Sequence, residues 1–354
     1  MTVEPYDPTR PSAPELARAR EWFDTSFGAD GGRPLAFLYN GVAVDLSDWE
    51  LQRQPPVIGD STEERTLRWH DSATGLTVRC VAVLYTDFPT VEWTVYLHND
   101  GDVDTPVVAD LVPLHAAIAG PEGCECLLHH HVGSPCLASD YEPLVSPLAT
   151  GQAKVLATSG GRSTNAVLSY FNIEWQPPLP RPDGWAPPTP SLVHPDSTGV
   201  ILAIGWPGQW SAVFTRETDD GVRIAAGQQQ THFRLHPGEE ARTPLIVLQF
   251  WAGDRVRSQN VWRRWMRAHN SPMVDGQPPS PHFAACGSHQ FEEMIKANEA
   301  NQIGHVDRYL AEQLDPDYWW MDAGWYKNET GWPNVGTWEV DTERFPGGLR
   351  AITD

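Results

Sequence analysis

YWWMDAGW, residues 318–325, sets one carboxylate, Asp322, behind three consecutive aromatic rings and ahead of a fourth. Read with the two-residue period of a strand, Tyr318, Trp320 and Asp322 share one face, and Trp319, Met321 and Ala323 share the other. Upstream, HFAACGS (282–288) carries a second short strand signal. Between them, the run 291–314 spaces Ile303, Val306, Leu310 and Leu314 as a helix does. Strand, helix and strand in this order predict a βαβ unit with parallel strands. Asp322 then falls at the C-terminal end of its strand, where α/β and barrel folds bind ligands.

The chain before this unit speaks a different language. After a helical signal, PELARAREWF (14–23), the stretch 34–250 is a series of short β-branched and aromatic runs broken by turn residues. Examples are TLRWHD (66–71), LTVRCVAVLYT (76–86), TVEWTVYLHND (90–100), GVILAIGW (199–206) and PLIVLQFW (244–251). Such runs with no long helix between them predict a β-sandwich. The proline cluster QPPLPRPDGWAPPTP (176–190) can be neither helix nor central strand and reads as a surface loop. From 254 the period lengthens: DRVRSQNVWRRWMRAHN places Trp262, Trp265, Met266 and His269 along a helix, and SPMVDGQPPSP (271–281) breaks it. The expected organisation is an N-terminal sandwich over 1–250, a helical linker over 251–281 and an α/β domain over 282–354.

At 354 residues, with 46 acidic against 25 basic side chains, the chain has a core's worth of length and a charge that repels phosphate backbones and anionic bilayers. Nucleic acid and membrane partners are not expected. The first twenty residues lack the apolar run of a signal peptide, and no window approaches the ~20 apolar residues of a membrane span, so the expectation is a soluble cytoplasmic protein. Five cysteines form an odd set in a large chain and read as reduced thiols.

Two groups of residues could carry chemistry. Around Asp322, a carboxylate that accepts two hydroxyl hydrogen bonds and indoles that cover the C–H face of a ring together suit a polyol or sugar. The competing reading makes Asp322 a turn cap and the tryptophans core. The segment that follows, KNETGWPNVGTWEVDTERFPGGL (327–349), is rich in Gly, Pro and Trp and longer than a minimal connection, as a loop folded over a site would be. Its stacking candidates are Trp325, Trp332 and Trp338. The second group, CECLLHHHVGSPC (124–136), holds Cys124, Cys126, His129, His130, His131 and Cys136. Density of soft ligands argues for zinc. Geometry argues against it, since strand alternation separates His130 from His129 and His131, and Cys-x-Cys is not the usual knuckle spacing. The other reading is a strand and loop at a sheet edge.

DAGW followed by GTWEVDTERFPGGL resembles the second barrel strand and following loop of the melibiase-like α-galactosidases of glycoside hydrolase family 36. There the pattern is Asp-Asp-Gly-Trp, then Gly-Asp-Trp-Glu, then Phe-Pro-x-Gly-Leu. DFPTVEWTVYLHNDGDVDTP (87–106), GGRSTN (160–165), GWPGQW (205–210), LHPGEEARTP (235–244) and the helix around WRRW resemble the family's sandwich and its link to the barrel. The resemblance implies an N-terminal β-sandwich followed by the first strands of a (β/α)8 barrel, cut short. It implies that Asp322 binds sugar hydroxyls, walled by Trp325 and Trp338, with an α-galactoside oligosaccharide as substrate, no cofactor and a homo-oligomer; no residue is assigned as a metal ligand. It implies retaining hydrolysis by two later aspartates, expected beyond Asp354, so that none of the residues present is catalytic and the chain itself is inactive. Ala323 and Thr337 stand where many members have aspartate, which leaves galactose itself less firmly specified. The alternative is a non-catalytic carbohydrate-binding fragment or relative.

Overall fold

The computed structural model describes residues 9–28, 33–178, 196–286, 296–322, 324–327 and 336–353. Most of the proline cluster, together with Ala323 and Trp332, lies outside these residues. The chain divides into two compact units, 1–270 and 271–354.

The first unit is built from antiparallel sheets. An eleven-stranded sheet runs, in spatial order, through Pro143–Pro147, Glu125–His131, Tyr170–Gln176, Ser197–Gly205, Leu245–Gly253, Thr90–Asn99, Leu76–Tyr85, Thr62–His70 and Glu50–Arg53, with two short strands beside this path. A four-stranded sheet of Leu114–Ala119, Gln152–Ala157, Trp210–Arg216 and Gly221–Gln228 packs against it, and a second small sheet contains Ala36–Tyr39 and Val108–Val112. Alternation explains the layering. Phe171, Ile173 and Trp175 point inward from one strand, and Phe171 meets Trp210 and Phe214 at ring separations of 5.6 and 5.1 Å. The runs with alternating signals in the sequence are all strands here.

Gly199 shows why the large sheet tolerates its aromatic load. A Cβ at this position would overlap the Ile173 carbonyl and the Trp251 ring, so only glycine lets that indole lie across the neighbouring strand. On this same face, opposite that of Phe171, Ile173 and Trp175, Asn172 accepts from the Trp251 indole at 2.9 Å and donates to Ser258 at 3.2 Å.

Two helices close over this unit. Ala13–Phe27 begins with a capping box between Ser12 and Glu15 and inserts Phe23 and Phe27, with Trp22 5.3 Å from Trp93. Arg255–Trp265 starts at an Asp254 N-cap and buries Ser258, Val261 and Trp265. Sequence assigned this second helix to a linker, whereas its Val261 and Trp265 cluster with Tyr85 and Phe88 of the sandwich. The buried stripe follows from the three- and four-residue spacing of 258, 261 and 265. Met266, read along the same helix as Trp262, Trp265 and His269, is exposed and opens a π-helical turn over Met266–Asn270.

The second unit contains the expected parallel pair. Ala284–Cys286 pairs with Tyr318–Trp320, with Ala285 opposite Trp319, and the helix Glu299–Ala311 lies between them in sequence. That helix begins with a reciprocal cap between Asn298 and Asn301, and the first part of the run read from 291 lies outside the described residues. Trp319 packs on it, donating to Gln302 at 3.1 Å and stacking on His305 at 5.9 Å. Tyr318 and Trp320 take the other face and are exposed, as period two requires. The apolar stripe read from sequence is only partly used. Leu310 and Leu314 are exposed, because two short strands offer the helix too little surface to cover its whole stripe. This pair of strands is an α/β unit; a closed barrel is not present among the described residues.

Candidate functional site

The strand Tyr318–Trp320 ends two residues before Asp322, which is exposed. Beyond it the chain doubles back on itself. Tyr326 and Val340 form an antiparallel bridge, Lys327 N–H donates to the Glu339 carbonyl at 3.0 Å, and Asp341 N–H donates to the Trp325 carbonyl at 3.0 Å. This pairing carries Trp338 back onto Trp325, with ring centroids 5.9 Å apart and planes at 46°. Tyr326 completes the cluster at 5.2 Å from Trp325 and 5.5 Å from Trp338.

The three rings differ in burial. Tyr326 is buried, Trp325 is half-buried, and Trp338 is 68% exposed. Trp338 also holds a left-handed backbone, φ +55°, a conformation that costs a bulky residue about 1–2 kcal/mol. Strain of this kind persists only where surrounding contacts dictate it.

Arg344 braces the hairpin that carries Trp338. Its Nε donates to Asp341 at 2.8 Å, Nη1 to the Ala297 carbonyl at 2.8 Å and Nη2 to the Tyr326 carbonyl at 2.9 Å. One guanidinium thus ties the aromatic hairpin to the start of the helix. Burial pushes the Asp341 carboxyl up, but the bonds from Arg344 and from the backbone of Arg344 and Glu343 outweigh it and hold it below the usual carboxylate range. Glu299 adds a second tie, accepting from Gly347 N–H at 2.6 Å. Neither Arg344 nor Tyr326 was singled out from sequence; a lone arginine before Phe-Pro carries no pattern, and its acceptors lie at 297 and 326.

Of the residues expected at the site, the structure joins Trp325 to Trp338 and leaves Asp322 on exposed backbone three positions before Trp325. Trp332 lies outside the described residues.

The cysteine and histidine cluster takes a different form. Glu125–His131 is a strand inside the large sheet, paired on both sides. Alternation sends Cys126 into the core and His129 to the opposite face, where its Nε2 lies 2.7 Å from Glu174. Ser197 donates to the other oxygen of Glu174 at 2.7 Å. Burial raises the Glu174 carboxyl, but hydrogen bonds from His129, Ser197 and Gln176 together hold it below its usual value. His130 turns back to Ser146 at 3.0 Å, and burial, with the charges of Lys154 and the flanking histidines, pushes its imidazole down to about 4. Among the described residues no group of three or more His, Cys, Asp or Glu side chains converges as metal ligands do. No helix among them is long and apolar enough to cross a membrane.

No protein-family model and no curated protein sequence matches the chain. Solved structures do. The family 36 α-galactosidase AgaA of Geobacillus stearothermophilus superimposes with a TM-score of 0.65 at 14% identity, over 90% of this chain and 44% of that one. Related structures of AgaA hold stachyose and raffinose. The α-galactosidase of Lactobacillus brevis gives a TM-score of 0.62 at 13% identity, over 90% of this chain and 42% of its own. The galactosidase domain of an α-galactosidase–sucrose kinase gives 0.65 at 13% identity, over 90% and 43%. At this level of identity the likeness concerns fold, and the chain spans less than half the length of each of these proteins. Within that span, the chain has the melibiase-like fold of the glycoside hydrolase family 36 α-galactosidases.

Proposed function

We propose that this chain is part of a retaining glycoside hydrolase acting on terminal α-linked galactosides, and that its second unit is the start of a (β/α)8 catalytic barrel. In this reading Asp322 accepts hydrogen bonds from sugar hydroxyls, while Trp325 and Trp338 cover the apolar face of the ring. The observation that carries it is the pairing of Trp325 with Trp338 a few residues beyond a parallel strand, Tyr318–Trp320, with the carboxylate of Asp322 in between in sequence. The family-36 fold supports the same reading.

Retaining hydrolysis needs two carboxyl groups about 5 Å apart, one attacking the anomeric carbon and one passing a proton to the leaving oxygen. Asp322 is assigned to neither task. Its role is to hold, and the reacting pair belongs to later strands of the barrel. The 354-residue chain is therefore expected to release no nitrophenol from a nitrophenyl α-galactoside, whereas a chain extended by later barrel strands should. Appreciable turnover by the shorter chain would refute this assignment.

A second reading, a sugar-binding unit without chemistry, is favoured by the exposure of Trp338. Calorimetry with galactose and raffinose separates the two. Saturable heat from the 354-residue chain, with no gain of hydrolysis in the extended chain, selects the binding unit.

A further inference from the structure

A cavity of about 460 Å³ lies between the N-terminal helix and the strand Leu114–Ala119, in the first unit and away from the aromatic hairpin in sequence. Its size suits a ligand of one sugar ring. In a chain with a net charge of −21, its lining is unusual: Arg18, Arg33 and His115 face it, against a single carboxylate, Glu21. Trp22 and Phe250 provide aromatic surface, and Thr25 and Ser26 provide hydroxyls.

Arg18 is the central cation of this cavity. Its guanidinium donates to the Ala119 carbonyl at 2.9 Å and makes a long contact of 3.5 Å with the Gly199 carbonyl. It lies 5.3 Å from the Phe250 ring centroid and 5.8 Å from that of Trp175. These contacts orient the cation without neutralising it: no carboxylate of the described residues lies within ion-pair distance of Arg18. Burial lowers the affinity of this guanidinium for its proton, and the Glu21 carboxylate opposes that effect only in part from longer range. Arg33 is only loosely balanced, 3.9 Å from an exposed Asp45, with its guanidinium 5.6 Å over Trp69. A guanidinium held by rings and carbonyls retains donors in a fixed fork that matches a carboxylate or phosphate.

We propose that this cavity binds a sugar-sized organic anion, its acid group held by Arg18 with Arg33 and its apolar face laid against Trp22. The chemistry is that of an acidic sugar, either a uronate or a sugar phosphate. It does not depend on the reading of Asp322, because the two sets of residues belong to different units.

The test is calorimetry on the full chain at low ionic strength with glucuronate, glucose 6-phosphate and neutral glucose. Saturable binding of at least one anion is expected, weakened by added salt, with glucose at least about tenfold weaker. Arg18→Gln should weaken the anion about tenfold or more. Because Arg18 also braces the backbone, Ala117→Trp serves as the second variant: Ala117 is exposed on an edge strand, and an indole there crowds the mouth without disturbing the core. It should remove binding while leaving the melting temperature unchanged, and Trp338→Ala should leave anion binding intact. Which anion binds identifies carboxylate or phosphate as the natural acid group. Absence of saturable binding by both, or undiminished binding in Ala117→Trp, overturns the proposal.

Discussion

Trp338 lies 5.9 Å from Trp325, ring to ring, although it is exposed and its backbone is left-handed. An exposed ring in a strained position contributes little to folding, so its removal separates binding from stability. Trp338→Ala keeps the left-handed backbone and loses the ring; raffinose binding to the full chain should fall about tenfold, near 1.4 kcal/mol. Trp338→Gly also releases the strain and should melt higher than the alanine variant by the equivalent of about 1 kcal/mol. Calorimetry and thermal melts of the two variants check both halves.

Much of this architecture was legible in the sequence, for a physical reason. Runs such as LTVRCVAVLYT alternate because one face of each strand is buried, and that alternation is local. The same holds for Trp319, which turns to its helix while Tyr318 and Trp320 turn away. Strands of two to four residues, such as Val57–Ile58 and Glu50–Arg53, carry too few periods to be seen. Pairings across long separations leave no local trace at all. His129 is buried because Glu174 meets it, and Arg18 lines a cavity because residues 33 and 115 arrive from elsewhere. Trp325 and Trp338 were legible as a pair only through their place in a longer pattern.

The N-terminal helix depends on an ion pair with a residue far along the chain. Arg257 reaches Glu15 with Nη1 to Oε1 at 2.6 Å and Nη2 to Oε2 at 3.0 Å, and Ala252 N–H adds a bond to the same carboxylate at 2.8 Å. Glu15 is buried, so removing one partner strands the other. Arg257→Met should destabilise the sandwich by roughly 3–5 kcal/mol, read from denaturant unfolding of the first transition. Glu15→Gln, which keeps the shape and part of the bonding, should cost less.

Acid should destabilise the sandwich in two stages. The imidazole of His130 titrates near 4 when folded and near 6.5 when unfolded, so the folded state binds fewer protons in between. Its contribution is complete above 6.5 and is lost as pH falls toward 4. The Glu15 carboxyl is also depressed: burial raises it, and bonds from Arg257, Ser12 and Ala252 outweigh that burial. Its contribution is present above about 4.5 and declines only below that value. Melting temperature against pH should therefore slope first between 6.5 and 4. In His130→Gln this slope should flatten in part, because burial and the Arg255 charge also lower the His131 imidazole, while the lower stage remains.

Gly199 offers a purely steric test. A methyl group there meets the Trp251 indole and the Ile173 carbonyl, and neither has room to retreat within the sheet. Gly199→Ala should cost about 1–3 kcal/mol through overpacking. Pairing it with Trp251→Phe, a smaller ring, should recover part of the loss in a double-mutant cycle. Purely additive costs would show that the indole is not what the glycine accommodates.

Arg344 makes the final test of how the aromatic hairpin is held. Its three donors serve acceptors at 297, 326 and 341, in directions set by a planar fork that an ammonium cannot reproduce. Arg344→Lys should keep the charge beside Asp341 yet free the hairpin from the start of the helix. Amide exchange should then quicken at Lys327 and Asp341, whose N–H groups bond across the hairpin, with little change in the sandwich core. If Trp325 and Trp338 grip a sugar, the same variant should weaken raffinose binding without touching either ring. A variant with faster exchange and unchanged raffinose affinity would show that the ring pair does not need its support to bind.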